Sequence, residues 1–238
     1  MNERSPIQPL EWTDELVASL WEYFGDFKPE AFFTANCGDR ILQLTERFLP
    51  ASATICDYGC GKGFLLKKIL ASHKAAGVDF SRNNLESVQA DNAENSNFVG
   101  AYSIDQLAEI KLKFDVVYFI ETVEHLLDHH VAPTFQAIEK LLKPGGVVIC
   151  TTPNEENLAD TEVYCPVTRR TFHQYQHVRS FSGETLAALF AEHHFSCIAT
   201  FTTDFFANSL RDRLKIRLRP YFRKRNPHLV YVGSPQVR

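Results

Sequence analysis

Long apolar runs are absent from this sequence, because no continuous apolar stretch reaches the roughly 18 residues that a membrane-spanning helix requires. The N-terminal stretch also lacks the apolar core of a secretory signal peptide. The six cysteines include no C-x-x-C pair, and most of them lie in apolar, strand-like runs, which indicates free thiols in a reducing compartment. Together these absences predict a cytoplasmic protein.

Positive charge is scarce except in one segment. Residues 211–225 contain eight Lys or Arg and one Asp, so this segment carries +7 and the rest of the chain carries −11 of the net charge of −4. Residues 204–219 carry apolar side chains at every fourth position, which predicts a basic amphipathic helix. Such a helix could hold an anionic acceptor, contact an anionic membrane peripherally, bind RNA, or simply pack with solvated charges. Nucleic acid is the least favoured partner, since the sequence contains no RNA-recognition motif.

The stretch Thr54–Leu66 carries the clearest functional signal. A short apolar run ends at Asp57, glycine then occupies alternate positions, and a helical run begins at Phe64. A strand, a glycine turn and a helix in this order place unpaired backbone N–H groups beside a ligand. Glycine allows the turn to take unusual φ values and allows backbone to approach the ligand closely.

The spacing of these glycines separates two nucleotide-binding patterns. The dinucleotide pattern G-x-G-x-x-G would need a third glycine where Phe64 stands. The observed D-x-G-x-G-x-G resembles motif I of the class I S-adenosylmethionine (SAM)-dependent methyltransferases. The resemblance implies that the acidic residue and the loop hold the methionine part of SAM. The cofactor-binding residues that it predicts here are Asp57, Tyr58, Gly59, Cys60, Gly61 and Gly63.

A second acidic residue, Asp79, ends the predicted second strand. An acid at this place in a nucleotide-binding fold can bind the ribose hydroxyls. The resemblance makes the same assignment and places Phe80 against the adenine. Ala101 stands where the family often has an acid after the third strand, so the adenine contact must come from backbone or from another residue.

The element E-T-V-E-H follows the strongest predicted strand, Phe114–Ile120. If it is helical, Glu121, Glu124 and His125 share one face at the carboxyl edge of the sheet, where open α/β sheets bind ligands. His125 could act as a general base, with a carboxylate fixing its tautomer. Alternatively, the three residues and another histidine could hold a divalent metal ion such as Mg²⁺ or Mn²⁺. Glu121 is also predicted to contact the cofactor.

The fourth catalytic candidate is His177. The E-x-x-E-H element resembles ubiquinone-pathway O-methyltransferases and, more weakly, small-RNA 2′-O-methyltransferases of the Hen1 type. The latter resemblance implies two Glu and two His around a metal, with the second His shortly before an aromatic residue and a helix. His177, four positions before Phe181, matches that place. The surrounding phrase F-H-x-x-Q-H-V-R-S-F is more similar to bacterial small-molecule or glycan-modifying enzymes.

The fold predicted from these patterns is α/β. Strands and helices alternate from residue 52 onward, which indicates βαβ units and a parallel sheet. The resemblance covers about residues 50–203 and implies a Rossmann-like, seven-stranded, mostly parallel sheet with helices on both faces.

The chain is predicted to divide near residue 50. Residues 1–50 are predicted to form a helical cap, with helices at 13–24 and 29–48. Residues 51–238 are predicted to form the methyltransferase domain, with an irregular loop at 153–180 and a basic insertion at 204–225. A helix is expected over 121–142, with an interruption at 128–133.

The sequence therefore predicts a SAM-dependent methyltransferase that modifies an oxygen of a small-molecule or glycan acceptor, with an anionic acceptor as one option. A metal-dependent RNA 2′-O-methyltransferase and a non-catalytic partner protein with a SAM-binding fold are the alternatives. The sequence leaves open the acceptor, the choice between oxygen and nitrogen, the metal and the oligomeric state.

Overall fold

The computed structural model describes residues 7–207 and 226–236. The α-helices are α1 (Asp14–Phe27), α2 (Phe33–Thr45), α3 (Phe64–Ile69), α4 (Arg82–Asn92), α5 (Asp128–Leu141) and α6 (Gly183–Glu192). The strands are β1 (Gln8–Pro9), β2 (Thr54–Tyr58), β3 (Lys74–Asp79), β4 (Phe98–Ser103), β5 (Phe114–Ile120), β6 (Leu142–Pro153), β7 (Glu162–Cys165), β8 (Arg170–His173), β9 (Phe195–Thr203) and β10 (His228–Pro235). Short 3₁₀ helices cover Pro29–Ala31, Glu46–Phe48, Ile104–Glu109, Val123–His125 and Leu158–Thr161.

Seven strands form the central sheet in the order β4-β3-β2-β5-β6-β10-β9. Every neighbouring pair is parallel except the two pairs that β10 makes, which are antiparallel. The predicted Rossmann-like, seven-stranded, mostly parallel sheet is thus confirmed. The chain order reverses between β2 and β5, so the segments that follow these two strands meet at the switch point where such sheets bind ligands.

Apolar side chains cover both faces of this sheet. Alternate residues of β5 point to opposite faces, as the period of a strand requires. Val117 and Phe119 pack with α5 and α6, whereas Val116 and Tyr118 pack with α2, α3 and α4. The strong apolar run Phe114–Ile120 is therefore the shared centre of both cores, and it fixes where the carboxyl edge of the sheet lies.

The two predicted N-terminal helices are present, but the first extends beyond residue 24. Thr13 caps α1, since its side chain accepts from the backbone N–H of Leu16 at 3.4 Å. The helix does not stop at Gly25 but continues to Phe27. A Cβ on Gly25 would come within 2.8 Å of Cε of Lys62. This glycine therefore permits close packing against the body of the protein and does not end the helix.

The predicted helix over 121–142 is wrong in its first part. Glu121 has a left-handed backbone with φ of 46°, a 3₁₀ turn covers Val123–His125, and α5 begins only at Asp128. The predicted interruption at 128–133 is also wrong, because α5 runs through Pro133 without a break. The chain turns before the helix instead of within it.

The predicted irregular loop at 153–180 contains ordered structure. Strands β7 and β8 form an antiparallel hairpin, and β1 pairs in parallel with β8 through Gln8 and Pro9. We call this segment, residues 153–180, the insertion. Its ends meet, since Asn154 and Phe181 form an isolated parallel bridge. The insertion is therefore closed at its base and tied to the N-terminal segment.

Most of the predicted basic helix at 204–219, and with it the predicted membrane contact, lies outside the described residues, which stop at 207 and resume at 226. No helix in the described ranges is long and apolar enough to cross a membrane. All six cysteines are free thiols; Cys197 is exposed although it lies in a strand.

Candidate active site

The glycine loop between β2 and α3 is shaped by three left-handed residues. Gly59, Gly61 and Gly63 have φ values of 83°, 51° and 76°. A Cβ on Gly59 would lie 2.6 Å from Oγ1 of Thr122, and a Cβ on Gly61 would lie 2.8 Å from Cε1 of Phe32. The loop thus needs glycine both for its backbone and for its confinement between the turn after β5 and the N-terminal helices.

Two buried acids lie beside this loop. Asp79 accepts from the backbone N–H of Gly61 at 2.8 Å and from that of Ser81 at 2.9 Å. Burial raises the pKa of Asp79. Burial, followed by the charge of Asp79, raises the pKa of Asp57 to about 7. Oδ2 of Asp57 is buried and has no hydrogen-bond partner among the described residues, so it is an acceptor that a polar ligand can satisfy.

The remaining predicted cofactor residues differ in accessibility. Tyr58 is buried in the core, edge-on to Phe119 at 5.8 Å, so only its backbone is placed in the loop. Cys60 is also buried, and its backbone N–H donates to the carbonyl of Val78 at 3.0 Å. Phe80 is 44% exposed. Of these three side chains, that of Phe80 is therefore the one available to a ligand.

Aromatic residues of the N-terminal segment cover the loop. Phe32 packs against Phe64 at 5.9 Å and against Trp21 at 5.8 Å between ring centroids. Lys62 pairs with Asp26 of α1 at 3.3 Å. These contacts bring α1 and the turn before α2 directly over the loop, an arrangement that the apolar face of α1 alone did not specify.

Glu121 lies at the switch point but not on a helix. Its backbone N–H donates to the carbonyl of Thr151 at 2.9 Å, and its Oε1 accepts from Oγ1 of the same residue at 2.7 Å. Burial raises the pKa of Glu121 to about 7, and the charge of Glu156 adds to the effect. The predicted helical spacing between Glu121 and His125 is therefore wrong, because the left-handed Glu121 directs its side chain to β6.

Three of the four predicted catalytic residues meet in one cluster. Ligand atoms of Glu124, His125 and His177 all lie within 4.8 Å of one another. Nε2 of His125 is 3.9 Å from Oε1 of Glu124, and the rings of His125 and His177 are 4.8 Å apart. Glu121 lies outside this group. We call Glu124, His125 and His177 the catalytic cluster.

Glu124 is the unusual member of the catalytic cluster. Its side chain is 1% exposed, and neither carboxylate oxygen has a hydrogen-bond partner in the described part of the chain. Oγ1 of the neighbouring Thr152 likewise makes no hydrogen bond of normal geometry within it. Burial, reinforced by the charge of Glu121, raises the pKa of Glu124 well above its ordinary value.

His125 is connected to the N-terminal helices through Gln176. Nδ1 of His125 lies 3.5 Å from the carbonyl of Gln176, whose Nε2 donates to the carbonyl of His125 at 2.8 Å. The indole N–H of Trp21 donates to Oε1 of Gln176 at 3.3 Å. Burial, followed by the nearby His177, lowers the pKa of His125 well below its ordinary value. The imidazole is therefore neutral at physiological pH.

Sequence reasoning missed two residues next to the catalytic cluster. Oε2 of Glu156 is 2.5 Å from Nδ1 of His177, and Oε1 of Glu156 is 3.3 Å from Nε2 of His173. The rings of His173 and His177 stack at 4.2 Å. The available signal was the polar run after β6, because β6 is parallel to β5 and ends at the same edge of the sheet.

Backbone strain is concentrated around the catalytic cluster. Five non-glycine residues in the described ranges have positive φ. Three of them are Glu121, Glu155, which precedes Glu156, and Gln176, which precedes His177, with φ values of 46°, 51° and 62°. Such conformations cost on the order of 1 kcal/mol or more and persist where the surrounding structure enforces them. They favour a functional site here.

His129 and His130 lie apart from the catalytic cluster, on the surface of the protein. Both are exposed in the first turn of α5, and their Nε2 atoms lie 3.2 and 2.8 Å from Oδ1 of Asp14 in α1. The hydrogen bond with His130 is the largest influence on Asp14 and holds the pKa of that carboxyl below its ordinary value.

Comparison with known proteins defines the family. A family model described as a methyltransferase domain matches residues 31–200. The chain belongs to the class I SAM-dependent methyltransferases. This methyltransferase is 31% identical to the ubiquinone biosynthesis O-methyltransferase of Cereibacter sphaeroides over an alignment of 169 residues that covers 65% of this chain and 67% of the relative.

Solved methyltransferase structures share the fold of this enzyme. The 1,6-didemethyltoxoflavin-N1-methyltransferase of Burkholderia thailandensis, solved with S-adenosylhomocysteine (SAH), has a TM-score of 0.64 and 17% identity, with 98% of this chain and 95% of that chain covered. The glycopeptide N-methyltransferase MtfA in complex with SAM has a TM-score of 0.62 and 14% identity, with 85% and 96% covered. SAM is accordingly the cofactor of this methyltransferase.

Proposed function

We propose that this methyltransferase modifies a hydroxyl oxygen of a small-molecule or glycan acceptor at the catalytic cluster. The main observation behind this proposal is the buried carboxylate of Glu124. It lies beside two imidazoles and has no hydrogen-bond partner among the described residues. The relatives named as O-methyltransferases support oxygen as the acceptor atom.

The lone pair of His125 faces the carboxylate of Glu124, and this arrangement indicates what the site can bind. Nδ1 of His125 faces the carbonyl of Gln176, so this nitrogen carries the proton and Nε2 carries the lone pair. That lone pair lies 3.9 Å from Oε1 of Glu124. Two acceptors that face each other in a buried site require a proton or a cation nearby. The catalytic cluster is thus arranged either to take a proton from an acceptor hydroxyl or to hold a cation.

The donor set fits a divalent metal ion. One carboxylate and two imidazoles suit first-row divalent ions, and the carboxylate has free lone pairs. When bound, such an ion supplies a Lewis acid that lowers the pKa of an acceptor hydroxyl. Glu121 would not be a ligand in this arrangement, because it is not among the residues whose ligand atoms lie within 4.8 Å of one another here.

The cofactor half of the site lies at the glycine loop. SAM supplies the methyl group. We assign Asp57, with its buried Oδ2 that lacks a partner in the described chain, and the backbone of Gly59–Gly63 to its methionine part. Asp79 can accept from the ribose hydroxyls with the lone pairs that Gly61 and Ser81 leave free. Phe80 would cover the adenine, and Glu121 would contact the cofactor from the switch point.

A cleft of about 440 Å³ beside Glu156 suits a hydroxyl-rich acceptor. Carboxylates and amides in its lining accept hydrogen bonds from hydroxyl groups. Its lining residues include Asn154, Glu155, Glu156, Asn157, Asp160 and His228. The cleft opens at the edge where β6, β9 and β10 meet, since His228 pairs with both Pro153 and Thr203. Asn226, the first described residue after the basic segment, borders this region through its carbonyl, which accepts from Nδ2 of Asn154.

Labelled methyl transfer from SAM into cell-extract fractions tests this proposal. We expect label in a small-molecule or glycan fraction, resistance to ribonuclease, loss with EDTA and recovery with Mn²⁺. His125→Ala should reduce the rate about 100-fold or more, because either a metal ligand or a general base is lost. His129→Ala, which alters an exposed histidine outside the catalytic cluster, should keep the rate.

The outcomes separate the alternatives. Full activity of His125→Ala would remove the catalytic cluster from the mechanism. Insensitivity to EDTA with loss in His125→Ala would leave His125 as a metal-free base. If ribonuclease releases the methyl label, the acceptor is RNA.

A further inference from the structure

We infer that Glu156 and His173 form a positioning pair that fixes the tautomer of His177 within the catalytic cluster. The inference rests on the proposed role of that cluster. Neither residue touches Glu124 or His125 in a described hydrogen bond, and both act through His177. The pair thus adds a carboxylate and an imidazole to the machinery of methyl transfer.

The orientation of His173 is set by backbone. Its Nδ1 lies 3.2 Å from the backbone N–H of Tyr175 and 3.2 Å from that of His177. Because both neighbours are donors, Nδ1 must carry the lone pair and Nε2 must carry the proton. Nε2 then donates toward Oε1 of Glu156 at 3.3 Å and also contacts Oγ1 of Thr161. The tautomer of His173 is therefore determined at both nitrogens.

Glu156, held by His173, in turn determines which ring nitrogen of His177 carries the proton. Its Oε1 accepts from the Nε2–H of His173, and its Oε2 lies 2.5 Å from Nδ1 of His177. A carboxylate is an acceptor only, so in the neutral ring of His177 the proton is on Nδ1 and the lone pair is on Nε2. Although burial raises the pKa of Glu156, the contacts with His177 and His173 outweigh it and hold that pKa below its ordinary value.

The surrounding backbone holds this pair in place. Glu155 and Gln176, the neighbours of Glu156 and His177, are both left-handed. The N–H of Glu155 donates to the carbonyl of Phe181 at 2.7 Å, and the N–H of Val178 donates to the carbonyl of Glu124 at 3.0 Å. The insertion is thus attached to the catalytic cluster on both sides of the pair. A carboxylate that orients a histidine in this way preorganises a site.

Glu156→Gln distinguishes positioning from simple packing. A glutamine offers one acceptor oxygen where the carboxylate offers two, so it cannot accept from both imidazoles. His173 is also held by two backbone N–H groups and Thr161, whereas His177 depends on Glu156. The substitution should therefore change the tautomer of His177 and leave that of His173.

The measurement is ¹⁵N NMR of the full-length chain labelled at histidine, with His177 assigned through His177→Gln. We expect wild-type His177 to be protonated at Nδ1 only. Glu156→Gln should show a mixture of tautomers or the Nε2-protonated form. Glu155→Gln, which changes the exposed neighbouring acid, should keep the wild-type signals. Unchanged His177 signals in folded Glu156→Gln would overturn the inference.

Kinetics supply a second readout. We expect kcat of Glu156→Gln to fall by roughly 10- to 100-fold, the usual effect of losing such a partner, with KM for SAM within about twofold. If Glu156→Gln does not fold, Glu156→Asp retains the charge but withdraws the carboxylate, and it should give the same NMR change. Wild-type signals in Glu156→Asp would then overturn the inference. Because the NMR needs no acceptor, a failed methylation assay would count against the proposed function and not against the positioning pair.

Discussion

A single carboxylate, that of Glu124, explains much of the electrostatics of this site. It is buried without a hydrogen-bond partner in the described chain, and its pKa is raised well above its ordinary value. A natural protein retains such a group when its function uses the unpaired acceptor. In the function proposed above, Glu124 would hold a proton or a cation beside His125 and His177.

Glu124→Gln should stabilise the metal-free protein at alkaline pH while it abolishes activity. Because the folded-state pKa of Glu124 is raised, the folded protein binds this proton more tightly than the unfolded chain. Stability is therefore present below the unfolded pKa of about 4.3 and is lost as pH rises toward the folded pKa. Glutamine cannot ionise and removes this loss, a gain of about 1–3 kcal/mol at pH near 8.

Urea denaturation in EDTA at two pH values would check the prediction. Near pH 4.5 the variant and the wild type should differ little, whereas near pH 8 the variant should be more stable. Lower stability of Glu124→Gln at the higher pH would show that the ionised carboxylate has a partner in solution.

At the scale of secondary-structure elements, the contact that links the two halves of the site joins the glycine loop and the N-terminal helices. Phe32 lies where a Cβ on Gly61 would be, and Trp21 extends the same aromatic group to Gln176 and His125. The division into a cap at residues 1–50 and a catalytic domain at 51–238 stays a prediction. The contact nevertheless shows how movement of these helices would affect the loop and the catalytic cluster together.

Gly61→Ala should weaken SAH binding, and Gly145→Ala provides a matched control. Both glycines are left-handed, so each alanine costs about 1–2 kcal/mol of backbone energy. Only at Gly61 does the new methyl group meet a neighbour, since nothing lies within 4 Å of a Cβ on Gly145. We expect calorimetric SAH affinity to fall about tenfold or more for Gly61→Ala through displacement of Phe32, and to be unchanged for Gly145→Ala. Equal affinities in the two variants would mean that Phe32 moves without consequence for the cofactor.

Elements with a strong local pattern were predictable from the sequence. The apolar run of β5 is found where it was expected. The turn at Glu121 could not be predicted, because glutamate has no intrinsic preference for a left-handed backbone. The insertion was missed because its strands are short and half-exposed, and because β8 also pairs with Gln8 from the distant N-terminal segment. Glu156 was missed because only the fold brings it to His177.

Across the whole molecule, charge is distributed unevenly along the chain. Residues 211–225 carry +7, whereas the rest of the chain carries −11. Their described flanks, Ala207 and Asn226, adjoin β9 and β10 at the end of the sheet that holds the cleft. The anionic acceptor stays a prediction, because it requires the basic segment to outweigh the carboxylates of Glu155, Glu156 and Asp160 that line the cleft.

Methylation of an anionic acceptor should therefore depend strongly on salt. We expect the initial rate of labelling in the active extract fraction to fall at least about fivefold between roughly 50 and 300 mM NaCl, because salt screens exposed charges. Substitution of Arg223, Lys224 and Arg225 by Gln should remove most of this dependence, with SAH affinity little changed. A rate that neither salt nor the triple variant alters would make these charges merely solvated.

The bridge between Asn154 and Phe181 has a consequence for how this chain can diversify. Because the ends of the insertion are joined there, its length can change at small entropic cost without disturbing the registers of β6 or β10. We expect that the whole insertion can be exchanged between related chains. Such an exchange would change the proposed acceptor region and leave the glycine loop unchanged. Such an exchange must carry Glu156, His173 and His177 together, since the three form one hydrogen-bonded unit.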